Sequence, residues 1–197
     1  MTVLQQLIHI DEQVTLWLNT HSPAFLDPVW ELFSEVNIWF PFYTLVVAYV
    51  FWRLGWKKGL AILLALILTV VLTDQLSYHL KEAIQRLRPC HNAWMLDGGL
   101  RMPQGPRTSL YGFFSGHASN TFGFAAFTCA VLKKNDPIHS YRGWGWFVYI
   151  WATLVSLSRI VLAAHFVGDI LAGMVFGSCM GWLTAWLCSA VIAKAKL

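Results

Sequence analysis

Residues 59–80 form a run of 22 positions with one charged side chain, Asp74. At 1.5 Å per residue such a run covers the roughly 30 Å hydrocarbon layer of a bilayer, where the backbone must satisfy its own hydrogen bonds as a helix. Four more apolar runs follow the same rule, at 36–54, 117–132, 143–162 and 167–193. The third is stopped early by Lys133, Lys134, Asn135, Asp136 and Pro137. Only 12% of the residues are charged, half the share of an ordinary soluble domain, and 57% are hydrophobic. The expectation is an all-α, polytopic membrane helix bundle of about five spans, organised as a single domain over residues 1–197.

Residues 1–35 precede the first span. Val3, Leu7, Ile10, Val14 and Trp17 recur at steps of four and three, which sets them on one helical face opposite Gln6, Asp11, Gln13 and Thr15. This pattern predicts a helix lying on the membrane surface. Ser22 and Pro23 signal the start of a second short helix with Leu26, Val29, Trp30 and Phe33 on its apolar side. The bundle proper then occupies 36–193, with a sixth span if one of the N-terminal helices crosses. The first 20 residues contain no Lys or Arg and no apolar run long enough for a secretory core, so no cleaved targeting peptide is expected.

Charge sets the expected orientation. Arg53, Lys57, Lys58, Lys133, Lys134, Arg142, Lys194 and Lys196 all fall in connections at one end of the predicted bundle, which the positive-inside rule makes cytoplasmic. The N-terminal 35 residues are acidic and belong to the outer face. With 14 Lys and Arg in 197 residues the chain is too weakly basic for a nucleic-acid module. Cys90, Cys129, Cys179 and Cys188 form no CxxC pair and no metal-ligand spacing, and no disulfide framework is expected.

Six cations break the rule by falling on the outer side: Lys81, Arg86, Arg88, Arg101, Arg107 and Arg159. Lys81 and Arg88 are two helical turns apart, so on a continuous helix they share a face until Pro89 disfavours its continuation. Two cations on one face call for an anion or for anchoring at the interface. Ser115, Gly116 and His117 stand where a loop turns into a span, and a helix start with a glycine offers free N–H groups to a phosphate. Ser158, Arg159, His165 and Asp169 gather at the junction of the last two spans. His165 and Asp169 are one turn apart, close enough for the carboxylate to hold one imidazole nitrogen and leave the other free to attack.

These three groups, Lys81 with Arg88 and Pro89, then Ser115-Gly116-His117, then Ser158-Arg159 with His165 and Asp169, resemble the signature of the type 2 phosphatidic acid phosphatase superfamily. One departure is Phe114, where the family commonly has Pro. The resemblance implies a metal-independent phosphatase that works through a phosphohistidine. Lys81, Arg88, Ser115, Gly116 and Arg159 would bind the phosphate, His165 would attack it, Asp169 would orient His165, and His117 would act as acid and base. No cofactor or metal is implied. Asp74 and His79 could support the site, though helix packing or an interfacial place suits both better.

A site at membrane depth implies a lipid phosphate or diphosphate in the bilayer as substrate and partner; the charge distribution sets the site on the outer face, and the small size, which resembles bacterial members of the superfamily, implies a bacterial cytoplasmic membrane with the site facing the periplasm. Undecaprenyl diphosphate is the first expectation. Phosphatidylglycerophosphate, phosphatidic acid, a lipid A phosphate, or phosphotransfer to an acceptor lipid are the alternatives. A non-enzymatic transporter is disfavoured because the charged groups gather at one face.

Overall fold

The computed structural model describes residues 2–107 and 109–197. Seven helices follow one another: α1 (Val3–His21), α2 (Asp27–Ser34), α3 (Phe40–Ile84), α4 (Ala93–Asp97), α5 (Gly116–Asn135), α6 (Arg142–Val161) and α7 (Val167–Lys194), and no β-strand occurs among the described residues. Short 3₁₀ turns precede α2, α3 and α4. Within α3 the helix breaks at Gly55, whose φ of 80° lies in the region open to glycine, and the two arms, 40–54 and 56–84, fold back on each other. Val46, Val50 and Phe51 of the first arm meet Ile62, Leu63 and Leu66 of the second.

Three stretches, Val36–Ile84, Arg142–Val161 and Val167–Lys194, are long and apolar enough to cross a membrane. With the break at Gly55, each of the five expected runs corresponds to one helical segment. The first starts four residues late, after a 3₁₀ turn at Val36–Trp39, and the second continues to Ile84. The third, α5, is less apolar because it does not face lipid. Twelve of its residues are buried among the other helices, so Thr121, Ser119 and Thr128 can sit in the core by bonding to carbonyls one turn back.

Two aromatic-rich cores flank α5. Phe124 and Ala125 pack with Val46, Val148 and Trp151, while Phe127 and Val131 pack with Val50, Ile62, Cys188 and Ile192. At one end Arg53 bonds Asp136 at 2.7 Å and Asn135 bonds Ser189 at 3.0 Å, which gathers the basic connections on one side of the bundle. The Arg53 guanidinium and the Tyr141 hydroxyl hold the Asp136 carboxyl well below the usual carboxylate range.

The N-terminal helix forms as expected, and it meets the protein through its polar side. Val3, Leu7, Ile10, Val14 and Trp17 are exposed, and the polar row Asp11, Thr15 and Asn19 is what meets the protein, with Thr15 and Asn19 fully buried. Asn19 donates to the carbonyls of Ile160 and Val161 at the end of α6, and Thr15 and Asp11 accept the N–H groups of Val167 and Gly168 at the start of α7. These are orphan backbone groups of two helix ends, satisfied from a third helix. The expected start of the second helix at Ser22 is corrected: Ser22 closes α1 and accepts from the Trp30 indole, and α2 begins at Asp27 with Pro28 in its first turn.

Candidate active site

The end of the bundle opposite the basic connections holds the motif residues. Helix α3 ends at Ile84 because Gln85 adopts φ 53°, and the chain then runs extended through Arg88. Lys81 and Arg88 therefore do not share a helical face, contrary to expectation. They converge because the loop folds back: Leu87 pairs antiparallel with Tyr111, and Arg88 N–H bonds the Leu110 carbonyl at 2.9 Å. Lys81 reaches the start of α5, where its Nζ would lie 3.7 Å from a Cβ placed on Gly116.

Ser115 caps α5, accepting from the Ala118 N–H, while its own N–H bonds the Asp169 carbonyl at 3.0 Å. That bond ties the start of α5 to the start of α7. Phe114, at the position where a proline was expected, is buried against Phe176, and its carbonyl accepts from Ser77 of α3.

The turn between α6 and α7 sets the third group. Ala163 takes φ 53°, and the N–H groups of Ala164 and His165 both return to the Arg159 carbonyl, which closes α6 and swings His165 off the helix. The Ser158 hydroxyl bonds back to the Val155 carbonyl within α6. The Arg88 guanidinium donates to the Ala164 carbonyl at 2.8 Å and lies 3.2 Å from His165 Nε2. Because arginine only donates, Nε2 is the accepting nitrogen and the ring proton sits on Nδ1.

Nδ1 is 3.6 Å from Asp169 Oδ2, longer than a hydrogen bond, and lies against the backbone of Gly112 without a full partner among the described residues. The expected simple one-turn pair is thus looser than the sequence spacing implied. The reason is that His165 lies outside α7 while Asp169 faces its N-terminus, where Oδ2 accepts the Phe166 N–H at 3.0 Å and Oδ1 accepts Arg86 at 2.7 Å. Burial, reinforced by Arg88 and Arg159, holds the His165 imidazole well below its usual value, so it is neutral.

His117, in the first turn of α5, bonds the Ser34 carbonyl through Nε2 at 3.2 Å, and Arg159 donates to the Ser34 hydroxyl. The end of α2 therefore covers this side of the site. His117, His165, Lys81 and Arg159 all lie within electrostatic reach of one another. Arg88 and Arg159 are buried cations whose Nε groups lack partners among the described residues. Asp74 and His79 are exposed on α3. Sequence reasoning did not find the contacts of Arg86, Asp11 and Ser34, which come from three separate elements with no motif between them.

The sequence pattern of the PAP2 superfamily matches residues 54–193, and the chain belongs to that superfamily. The lipid A 4'-phosphatase of Bacteroides thetaiotaomicron is 30% identical over 196 residues, covering 98% of this chain and 84% of that protein. The lipid A 4'-phosphatase of Porphyromonas gingivalis is 28% identical over 179 residues, covering 90% and 72%. Among solved structures, a transmembrane PAP2-type phosphatidylglycerolphosphate phosphatase from Bacillus subtilis aligns with TM-score 0.66 and 26% identity over 98% of this chain and 88% of that one. Aquifex aeolicus LpxE aligns with TM-score 0.61 over 87% and 92%, at 19% identity, a likeness of fold. The protein is a phosphoric ester hydrolase of the membrane lipid phosphatase branch.

Proposed function

We propose that the cup formed by Lys81, Arg88, Ser115, Gly116 and Arg159 binds the phosphate of a lipid monoester and that His165 and His117 carry out its hydrolysis without a metal. The observation that carries this reading is the placement of Arg88 Nη1 at 3.2 Å from His165 Nε2, which sets a buried cation beside a buried, unprotonated nitrogen. A phosphate there would satisfy the unpartnered Nε groups of Arg88 and Arg159 and meet the free N–H groups at the start of α5.

His165 Nε2 attacks phosphorus in line, the bond from phosphorus to the lipid oxygen breaks, and His117 protonates that oxygen as it leaves. The Nδ1 proton faces Asp169, which stabilises the charge the ring acquires. His117, which entered the cycle as the imidazolium and was left neutral by the first step, then takes a proton from water as the water attacks the phosphohistidine, which releases inorganic phosphate, frees His165 as the neutral imidazole and returns His117 to its protonated form. The three cations offset the charge on the equatorial oxygens throughout.

For the substrate, the two curated relatives favour the 4'-phosphate of lipid A over the undecaprenyl diphosphate expected from sequence. The site faces the periplasmic side of a bacterial inner membrane and the C-terminus lies in the cytoplasm, by the charge distribution. Phosphate release from purified lipid A, undecaprenyl diphosphate, phosphatidylglycerophosphate and phosphatidic acid, with a chelator present, tests the reading. Lipid A should lose its 4'-phosphate fastest, and His165→Ala and His117→Ala should abolish release. Release from no lipid of the panel, or turnover unchanged in His165→Ala, would overturn it.

A further inference from the structure

Arg86 stands outside the phosphate cup, yet it is the side chain most directly bonded to Asp169. One guanidinium nitrogen donates to Asp169 Oδ1 at 2.7 Å and another to Asp11 Oδ2 at 2.6 Å, while the guanidinium carbon lies 4.2 Å over the Phe166 ring. Asp11 is itself held, since its other oxygen accepts the Gly168 N–H at 2.8 Å. A Cβ on Gly168 would come within 2.8 Å of Asp11 Oδ2, so any larger residue there would displace the carboxylate. A chain of bonded charges results, Asp11 of α1, Arg86 after α3 and Asp169 of α7, with the neutral His165 ring 3.6 Å beyond it.

Asp169 is fully buried, and a carboxylate without water must be matched by a cation or take up a proton. A protonated Asp169 could no longer stabilise the charge that develops on His165. The ionisable groups facing Asp169 are Arg86 and Arg88 from the segment after α3, Lys81 from α3, Asp11 from α1 and His165 from its own turn. Of these, Arg86 alone is bonded to the carboxylate at hydrogen-bond distance.

We propose that Arg86, aimed by Asp11, is a positioning residue for the hydrolytic reaction: it keeps Asp169 ionised and turned toward His165, which makes the N-terminal helix α1 a working part of the active site. Helix α1 lies outside the 54–193 region that the superfamily pattern covers. The proposal rests on the reading of His165 as nucleophile and Asp169 as its orienting group.

Full-length Arg86→Gln, Arg86→Lys, Asp169→Asn and the double variant Asp169→Asn/Arg86→Gln are purified in detergent and assayed on lipid A across pH. Arg86→Gln should lower kcat by about 10- to 100-fold, as a misplaced catalytic group does, with KM unchanged. Its acidic limb of kcat/KM should move to higher pH by about one unit, because a buried carboxylate that loses an adjacent cation is protonated more readily. Arg86→Lys keeps the charge and loses the fork, so it should restore most of the limb position with kcat still reduced. In the Asp169→Asn background, Arg86→Gln should have no further effect on the limb. An Arg86→Gln protein that melts earlier but keeps the wild-type kcat and pH profile overturns the proposal. Should Arg86→Gln fail to fold, Arg86→Lys with unchanged kcat and profile overturns it equally. Normal turnover in His165→Ala would instead reject the underlying assignment.

Discussion

Gly177 of α7 packs so closely on Ser119 of α5 that a Cβ at position 177 would overlap the Ser119 carbonyl oxygen. Gly181 stands in the same relation to the Gly123 carbonyl, and Gly173 to Ser115, one turn apart along a single face. This contact sets how near Ser115 and His117 come to Asp169 and His165. Gly177→Ala should destabilise the protein by about 1–3 kcal/mol, as overpacking of a filled core does, whereas Val175→Ala on the exposed face of the same helix should be near neutral. Thermal unfolding followed by tryptophan fluorescence in detergent checks both, and equal midpoints would contradict the close packing.

The neutral state of His165 predicts the acid side of the activity profile. Burial with Arg88 and Arg159 lowers the tendency of the ring to take a proton, so the neutral form that the proposed attack requires persists below the usual histidine value of about 6.5. Activity should therefore hold as pH falls through that value. The same shift means that the unfolded chain binds a proton there that the folded chain does not, so the thermal midpoint should drop on acidification. Arg88→Gln removes one of the cations and should bring the inflection of single-turnover phosphoenzyme formation to higher pH.

Asn19 offers a test of how the N-terminal helix packs. It bonds the carbonyls of Ile160, Val161 and Arg101 and accepts the Arg101 N–H, all from a fully buried position. Asn19→Leu keeps the bulk and strands those groups, at a cost of about 1–3 kcal/mol for each one left unsatisfied. Leu7→Ala, on the exposed face, should leave the melting midpoint in detergent unchanged. A larger loss for Leu7→Ala than for Asn19→Leu would mean that α1 packs by its apolar face.

Orientation has its own measurement. A reporter fused after Leu197 should give a cytoplasmic signal, since Arg53, Lys133, Lys134 and Lys194 end on one side with the Arg53–Asp136 contact drawing two of those connections together. An extracytoplasmic signal would reverse the sidedness of the active site.

Much of the candidate site was legible because the chemistry proposed for it is carried by residue types that are costly at membrane depth. Lys81, Arg88, His117, Arg159, His165 and Asp169 stand out in a chain with so few charges, and the structure brings them to one end of the bundle. The manner of convergence was not legible. Lys81 and Arg88 meet through a fold-back of the loop at Gln85, because one left-handed residue ends α3 four positions before Pro89. His165 and Asp169 are not stacked on one helix, because the Ala163 turn places the first before the helix and the second within it.

The sequence by itself determined the all-helical membrane architecture, the end of the bundle at which charge collects, and the superfamily, since the length of apolar runs and the cost of unpaired charge in hydrocarbon are properties of the chain alone. Only the tertiary structure decided that α5 is the sheltered centre, that α1 turns its polar row inward to cap two other helices, and that Arg86 and Asp11 stand behind Asp169. A helix with one apolar and one polar face can lie either way on a membrane protein, since the lipid accepts its apolar side and the exposed ends of neighbouring helices accept its polar side. Which of the two wins depends on orphan N–H and C=O groups at Val167, Gly168, Ile160 and Val161, more than 140 residues away in the chain.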